Sequence, residues 1–295
     1  MLRSIKRVGF VVNEHKADAP ALVKQLGQLL EARRVEFFGE AANAAALGLL
    51  PALDERAFRE ADLCVVLGGD GTLLRAARLL GDSEVPMFGV HLGSLGFMME
   101  TAIDEAPALL ARALDGGCEV QPRLKLAVRV FGGDGAGRVE AAPRLEARVL
   151  NEVVVTKGAL SRIVELETWI DGLSVTCFRA DGVIISTPTG STGYSLSAAG
   201  PILAPGLSAI AVTPICPHTL AQRPLVVPGT SHIELTLEPG SSEVFLTLDG
   251  QRGQPLEPFD RIRIEAAAAR ALLVRNPRLD FFSILRTRLG WGGGR

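Results

Sequence analysis

Over the first 120 or so residues, short apolar runs alternate with stretches in which apolar side chains return every three or four positions. That is the rhythm of strands and helices in a parallel α/β sheet. Residues 7–12 read as a strand, and 19–33 set Leu22, Leu26, Leu29 and Leu30 on one helical stripe. Residues 63–67 are apolar without a break, as in a strand covered on both faces. The glycine-rich 68–71 follow, then a helix over 73–80 with Leu73, Ala76, Ala77 and Leu80 inward. A strand is predicted at 86–90 and a helix at 105–114.

Beyond about Pro122 the pattern turns to period-two alternation broken by Gly, Pro and Asp. Strands are predicted at 124–131, 144–156, 163–170, 173–178, 182–186, 232–237, 243–248 and 261–265. Repeated short strands with turn residues between them suggest an antiparallel sandwich. Residues 281–289 return to helical spacing, with Phe281, Phe282, Leu285 and Leu289 on one face. The fold class expected is therefore α/β plus all-β.

A chain of 295 residues favours two domains. Hydrophobic residues at 47% and charged residues at 22% exclude disordered and fibrous classes. With 31 Lys and Arg against 33 Asp and Glu, the formal charge is −2. The basic excess of a phosphate-backbone binder is missing, so nucleic acid is not an expected partner. Cys64, Cys118, Cys177 and Cys216 are far apart without a C-x-x-C pair, and reduced, buried thiols are expected. His15, His91, His218 and His232 lack metal-ligand spacing. The basic start is followed by too short an apolar run for a secretory signal, and 41–53 are too short for a membrane span. A cytoplasmic protein without a membrane partner is expected.

Gly68-Gly69-Asp70-Gly71-Thr72 lies between a buried strand and a helix, at the carboxyl end of a parallel strand, where open α/β sheets bind ligands. Glycines let the backbone approach a phosphate, and amides at a helix start cradle an anion. A carboxylate there repels phosphate unless it serves chemistry or metal; otherwise Asp70 is a helix cap in a tight turn. Gly132-Gly133-Asp134-Gly135 repeats four of the letters between two β segments, where a hairpin loop is expected. A second constellation, residues 187–201, carries five hydroxyls from Thr187 to Ser195 and the only tyrosine, Tyr194. Such a loop suits sugar hydroxyls and phosphates, or it is a solvated turn.

These motifs, with Asn151-Glu152, Asp181-Gly182, Pro214-Ile215-Cys216-Pro217-His218-Thr219-Leu220, Arg223-Pro224 and Leu248-Asp249-Gly250-Gln251, resemble the bacterial NAD kinases in order and spacing over nearly the whole chain. The first motif is shared with diacylglycerol, sphingosine and 6-phosphofructokinases. The hydroxyl-rich motif with Asn-Glu upstream is more specific. Family members commonly carry Ala or Gly at 193 and Gly at 199, where this chain has Gly193 and Ala199.

The resemblance implies a Rossmann-like lobe at 1–122, a β-sandwich at 123–275 holding most of the dinucleotide pocket, and a helix within 276–295 that returns to the first lobe. It implies transfer of the γ-phosphoryl group of ATP, or polyphosphate, to the 2′-hydroxyl of the NAD adenosine ribose. Asp70 is the expected catalytic base, because a ribose hydroxyl needs a carboxylate to take its proton. Asp70 and Gly71, Asn151 and Glu152, Arg162, Arg179, Asp181, Thr192, Gly193, Tyr194, Ser195, Leu196, Ser197 and Gln251 are expected to contact NAD. Gly68, Gly69, Thr72 and Arg75 are candidates for phosphate. Mg²⁺ is expected to arrive with ATP rather than in a protein cage, and the family favours a homodimer or homotetramer. Without a G-x-G-x-x-G after a strand, a dehydrogenase is disfavoured, and the P-loop pattern is missing too. The alternatives are a lipid or sphingoid-base kinase, which should show an apolar entrance or basic membrane patch, and a non-enzymatic NADP sensor, which would not need Asp70.

Overall fold

The computed structural model describes residues 4–41, 47–48, 51–134, 136, 138–158, 163–219, 221–240 and 243–291. Two units emerge, one formed by Met1–Arg123 with Ala269–Arg295 and the other by Leu124–Ala268.

The first unit runs β1 (Arg7–Val12), α1 (Ala19–Ala32), β2 (Glu36–Glu40), β3 (Ala52–Leu53), α2 (Glu55–Arg59), β4 (Leu63–Gly68), α3 (Asp70–Leu80), β5 (Met87–His91), α4 (Ala106–Leu114) and β6 (Val120–Arg123). Strands β3-β2-β1-β4-β5 are parallel neighbours in that order. Every residue of β4 is buried, which its unbroken apolar run requires. Leu22, Leu26 and Leu30 of α1 join Val8, Phe10 and Val65 in one core. Helix α3 begins at Asp70, three residues before the apolar periodicity becomes visible.

The second unit runs β7 (Leu126–Phe131), β8 (Leu145–Val149), β9 (Glu152–Lys157), β10 (Val164–Ile170), β11 (Leu173–Ala180), β12 (Gly182–Ser186), a 3-10 turn at Gly190–Thr192, α5 (Tyr194–Ser197), β13 (Ala209–Ile215), β14 (Leu225–Pro228), β15 (Ile233–Leu237), β16 (Val244–Leu248), β17 (Arg252–Leu256) and β18 (Arg261–Ala266). These form two antiparallel sheets, β11-β10-β15-β18-β7-β8 and β14-β13-β12-β9-β16-β17. Val128, Leu166, Leu235 and Ile264 of the first sheet share a core with Val153, Ile185, Val212 and Leu246 of the second. The single strand expected over 144–156 is two, β8 and β9, in different sheets, broken at Leu150 and Asn151.

The chain then re-enters the first sheet. Strand β19 (Ala271–Val274) lies parallel to β5 and antiparallel to β6, so the return starts ahead of residue 276. Helix α6 (Phe281–Leu289) follows, capped by the Asp280 carboxylate on the amides of Phe282 and Ser283, and closed by Gly290 in the left-handed conformation. Its buried side chains are Ile284 and Leu285, whereas Phe282, expected on one face with Leu285, is exposed. Among the described residues no helix is long and apolar enough to cross a membrane.

Candidate functional site

At the end of β4 the chain needs room inside the turn. A Cβ on Gly68 would fall 2.2 Å from Thr72 Oγ1, whereas one on Gly69 would meet nothing within 4 Å. Gly68 therefore serves the turn, and Gly69 leaves its outer side clear. Thr72 Oγ1 accepts from the Gly69 amide at 3.4 Å, which explains its burial. Asp70, first residue of α3, turns its carboxylate toward the segment after β5 and not onto its own helix. Oδ2 accepts from Phe97 N at 2.8 Å and Oδ1 from Met98 N at 3.2 Å. A Cβ on Gly96 would sit 2.2 Å from Oδ1, so only glycine fits there. One N–H per oxygen fixes the carboxylate plane and leaves each oxygen a lone pair for another group.

Gly71 is exposed beside it. Arg75, one turn on, donates to Val12 O at 2.8 Å and pairs with Glu40 at 3.0 Å. Burial pushes the Glu40 carboxyl up, and the Arg75 charge opposes that. The Asp134 copy of the motif behaves as a hairpin: Asp134 N donates to Arg138 O, and its carboxylate caps the amides of Ala136 and Arg138. The same letters thus yield an inward-folded loop without a helix after it.

In the second unit, the break between β8 and β9 is held by a residue nearly 100 positions later. Asp249 Oδ2 accepts from Leu150 N at 3.0 Å, and Oδ1 from Asn151 N at 2.7 Å and Glu152 N at 3.2 Å. Asp249 and Gly250 have φ of 50° and 63°, and Gln251 N returns to Leu248 O at 3.0 Å, the Asp-Gly form of a tight hairpin turn. From the other side Thr187 donates through Oγ1 to Leu150 O at 2.6 Å and through N to Asn151 O at 2.9 Å. Gly190 packs so closely that a Cβ would lie 2.1 Å from Asn151 O.

This bracket presents Asn151 and Glu152 as buried polar side chains, with Asn151 Oδ1 and Glu152 Oε2 lacking hydrogen-bond partners within the described chain. Burial, reinforced by the Asp249 charge and opposed by the Tyr194 backbone N–H, pushes the Glu152 carboxyl up to about 8. Groups so placed need a partner from outside the chain or remain costly. Gly193 lies over them, with its Cβ position 3.0 Å from Glu152 Oε2 and 3.4 Å from Asn151 Nδ2.

Two of the hydroxyls in the long motif close the loop upon itself, two tie it to neighbouring strands or their ends, and Thr189 Oγ1 is buried without a hydrogen-bond partner among the described residues. Ser191 Oγ donates to Pro188 O at 2.6 Å and accepts from Leu203 N at 2.9 Å; Thr192 Oγ1 donates to Thr189 O; Ser195, fully buried, meets the Thr213 hydroxyl at 3.1 Å. The exposed parts are Tyr194, at 45%, Ser197 and Ala199, with Leu196 half-buried between the first two. Ala199 takes φ of 61°, the left-handed region where the resembling family commonly has glycine.

Arg179 pairs with Glu165 at 2.9 Å and Asp181 with Lys157 at 3.1 Å, while Gln251 is exposed at the hairpin. Arg162 lies outside the described residues. Cys64 and Cys118 are buried as expected, but Cys177 and Cys216 are exposed, and all four are free. The residues missed by sequence reasoning are those that hold others in place: Asp249, and the glycine and two amides at Gly96-Phe97-Met98. Asp249 carried a signal in its Asp-Gly turn.

Comparison with known proteins places both segments in one family. Residues 8–118 match the ATP-NAD kinase N-terminal domain and residues 150–276 the ATP-NAD kinase C-terminal domain. An NAD kinase of Geotalea daltonii is 53% identical over 79% of this chain and 80% of its own length. That of Geobacter metallireducens is 44% identical over 98% of this chain and 99% of its own. Among solved structures, yeast NADH kinase complexed with NADH superposes with a TM-score of 0.89 at 25% identity, covering 99% of this chain and 90% of that one. An NAD kinase from Archaeoglobus fulgidus in complex with ATP gives 0.74 at 25% identity, covering 96% and 97%.

Proposed function

The chain belongs to the NAD kinase family, and from that premise we propose that it phosphorylates the 2′-hydroxyl of the NAD adenosine ribose with ATP, giving NADP and ADP. The observation that carries the chemistry is the Asp70 carboxylate, gripped by the Phe97 and Met98 amides beside a turn whose outer side is open at Gly69. In this reading the ribose oxygen attacks the γ-phosphorus, the bond to the β–γ bridging oxygen breaks, and Asp70 takes the ribose proton. The carboxylate needs no reorientation, because its two amide bonds already set its plane.

Asn151 and Glu152 supply the unpartnered polar atoms that ribose hydroxyls satisfy, and Tyr194 supplies exposed aromatic surface for a base or ribose. The remaining contacts assigned by resemblance are Gly71, Arg162, Arg179, Asp181, Thr192, Gly193, Ser195, Leu196, Ser197 and Gln251. Thr192 and Ser195 serve through the shape of the loop, since their hydroxyls are engaged, one by Thr189 within it and the other by Thr213 of β13. Gly68, Gly69 and Thr72 are assigned to the phosphates through backbone approach. Arg75, already paired with Glu40, contributes charge there from a fixed position.

Among the described residues no three His, Cys, Asp or Glu side chains gather into a metal-ligand set. The Mg²⁺ we assign on the family resemblance would arrive with the nucleotide phosphates, and it would supply charge neutralisation there. We assign the protein to the cytoplasm as a homodimer or homotetramer on the family resemblance; sedimentation equilibrium with a monomer mass would refute that assembly. The activity is tested by incubation with ATP, Mg²⁺ and either NAD or diacylglycerol, with mass identification of the product. NADP confirms the proposal. A phosphorylated lipid, or NAD bound but unchanged, overturns it.

A further inference from the structure

The segment whose amides grip Asp70 is itself held from its other end. Glu100, buried two residues beyond Met98, accepts through Oε2 from Arg275 Nε at 2.8 Å and from Asn276 N at 3.0 Å. Asn276, 1% exposed, donates through Nδ2 to Glu100 O at 3.1 Å and to Glu105 Oε2 at 3.1 Å. Arg275 has its other nitrogens on Gln121 Oε1 at 2.8 Å and Leu279 O at 3.1 Å, so its position is fixed by three partners. From α6, Arg288 stands over the Phe97 ring at 5.6 Å. Between these anchors Met99 is fully buried against Gly89, and Thr101 O accepts from His91 N at 2.9 Å.

A buried carboxylate paired with a partly buried guanidinium is weak evidence for stability, because desolvation cancels much of the attraction, whereas the pair defines geometry sharply. Here the geometry they define is that of residues 97–100, where two peptide units separate the Asn276 anchor at Glu100 from the Met98 amide. We infer that Glu100, Arg275 and Asn276, all in the first unit, are positioning residues that set the orientation of Asp70 through the Phe97 and Met98 amides. The inference rests on Asp70 being the general base. The returning segment thus sharpens a site whose base it does not itself supply. A displacement near 1 Å at a reacting group costs on the order of 10²-fold in rate.

The test is steady-state kinetics on Asn276→Ala and Arg288→Ala, each alone and combined with Asp70→Asn. Arg288 is an exposed side chain, so its removal leaves folding intact even where Asn276→Ala does not. The expected result is a kcat loss of about 10- to 100-fold for Asn276→Ala and about 2- to 5-fold for Arg288→Ala, with KM for NAD within about twofold. In the Asp70→Asn background the same substitutions should produce no further loss, since their effect passes through the carboxylate. Equal losses in both backgrounds, or a rise in KM at unchanged kcat, would overturn the positioning role. If Asp70→Asn alone keeps full turnover, the general-base reading fails and this inference with it. Hydrogen exchange at the Phe97 and Met98 amides, which must quicken in Asn276→Ala, separately checks that the anchor reaches them. Arg286→Ala, on the exposed side of the same helix, is the control expected to keep wild-type kcat.

Discussion

Replacing Glu152 with glutamine preserves the side chain's shape while removing its charged state, the state that its surroundings oppose. The carboxyl is 5% exposed, faces the Asp249 carboxylate, and is pushed from 4.5 up to about 8. A folded-state value above the unfolded one means that the folded chain binds the proton more tightly. Stability is then greatest below the unfolded pKa and falls as pH rises toward the folded one. The 3.5-unit interval between 4.5 and about 8 sets a ceiling of about 5 kcal/mol on that fall. Local relaxation and water entry bring the expected value to about 2–3 kcal/mol. Other titrating groups are shared by both proteins, so the quantity to measure is the difference between their denaturant unfolding free energies at pH 5.5 and pH 8.5. Glu152→Gln should gain on the parent protein by about 1.5–2 kcal/mol between pH 5.5 and pH 8.5, the rest of the fall being complete below pH 5.5. Parallel stability curves across that range would refute the burial argument.

Ala199→Gly should stabilise the chain by about 0.5–1 kcal/mol, because φ of 61° strains a Cβ more than glycine's extra unfolded freedom costs; differential scanning calorimetry should show a rise of about 2 °C. Gly96→Ala would drive a Cβ against Asp70 Oδ1, so turnover should fall on the order of 10²-fold with NAD affinity little changed, as kinetics beside titration calorimetry would show.

The legible parts of the fold were those with local causes. Strand β4 and helix α1 announce themselves by an apolar run and a three-and-four spacing, and strands β10 and β15 by alternation. Strand β13 escaped because it is buried on both faces and so carries no alternation, while Thr213 and Pro214 interrupt the kind of apolar run that marks β4. The division of 144–156 into β8 and β9 could not be read locally, since the group that takes the three amides, Asp249, is brought there by a hairpin far along the chain. The same holds for Asp70. Its motif and place at the end of a parallel strand were visible in sequence, but the amides that orient it belong to an unremarkable Gly-Phe-Met. The hydroxyls of 187–195 show the opposite failure. Their number suggested ligand contacts, and the structure uses most of them to shape the loop that covers Asn151 and Glu152.

The duplicated tetrapeptide offers the most direct test of the account. Asp70 and Asp134 share flanking glycines, but one carboxylate is held at a helix start by Phe97 and Met98 and the other caps its own hairpin. Steady-state turnover of NAD by Asp70→Asn and Asp134→Asn, with NAD affinity measured separately, tells the two placements of the same letters apart. A fall on the order of 10²- to 10⁴-fold is expected for Asp70→Asn with NAD still bound, and turnover near wild type for Asp134→Asn. Full activity in Asp70→Asn, or equal loss in both variants, would contradict it.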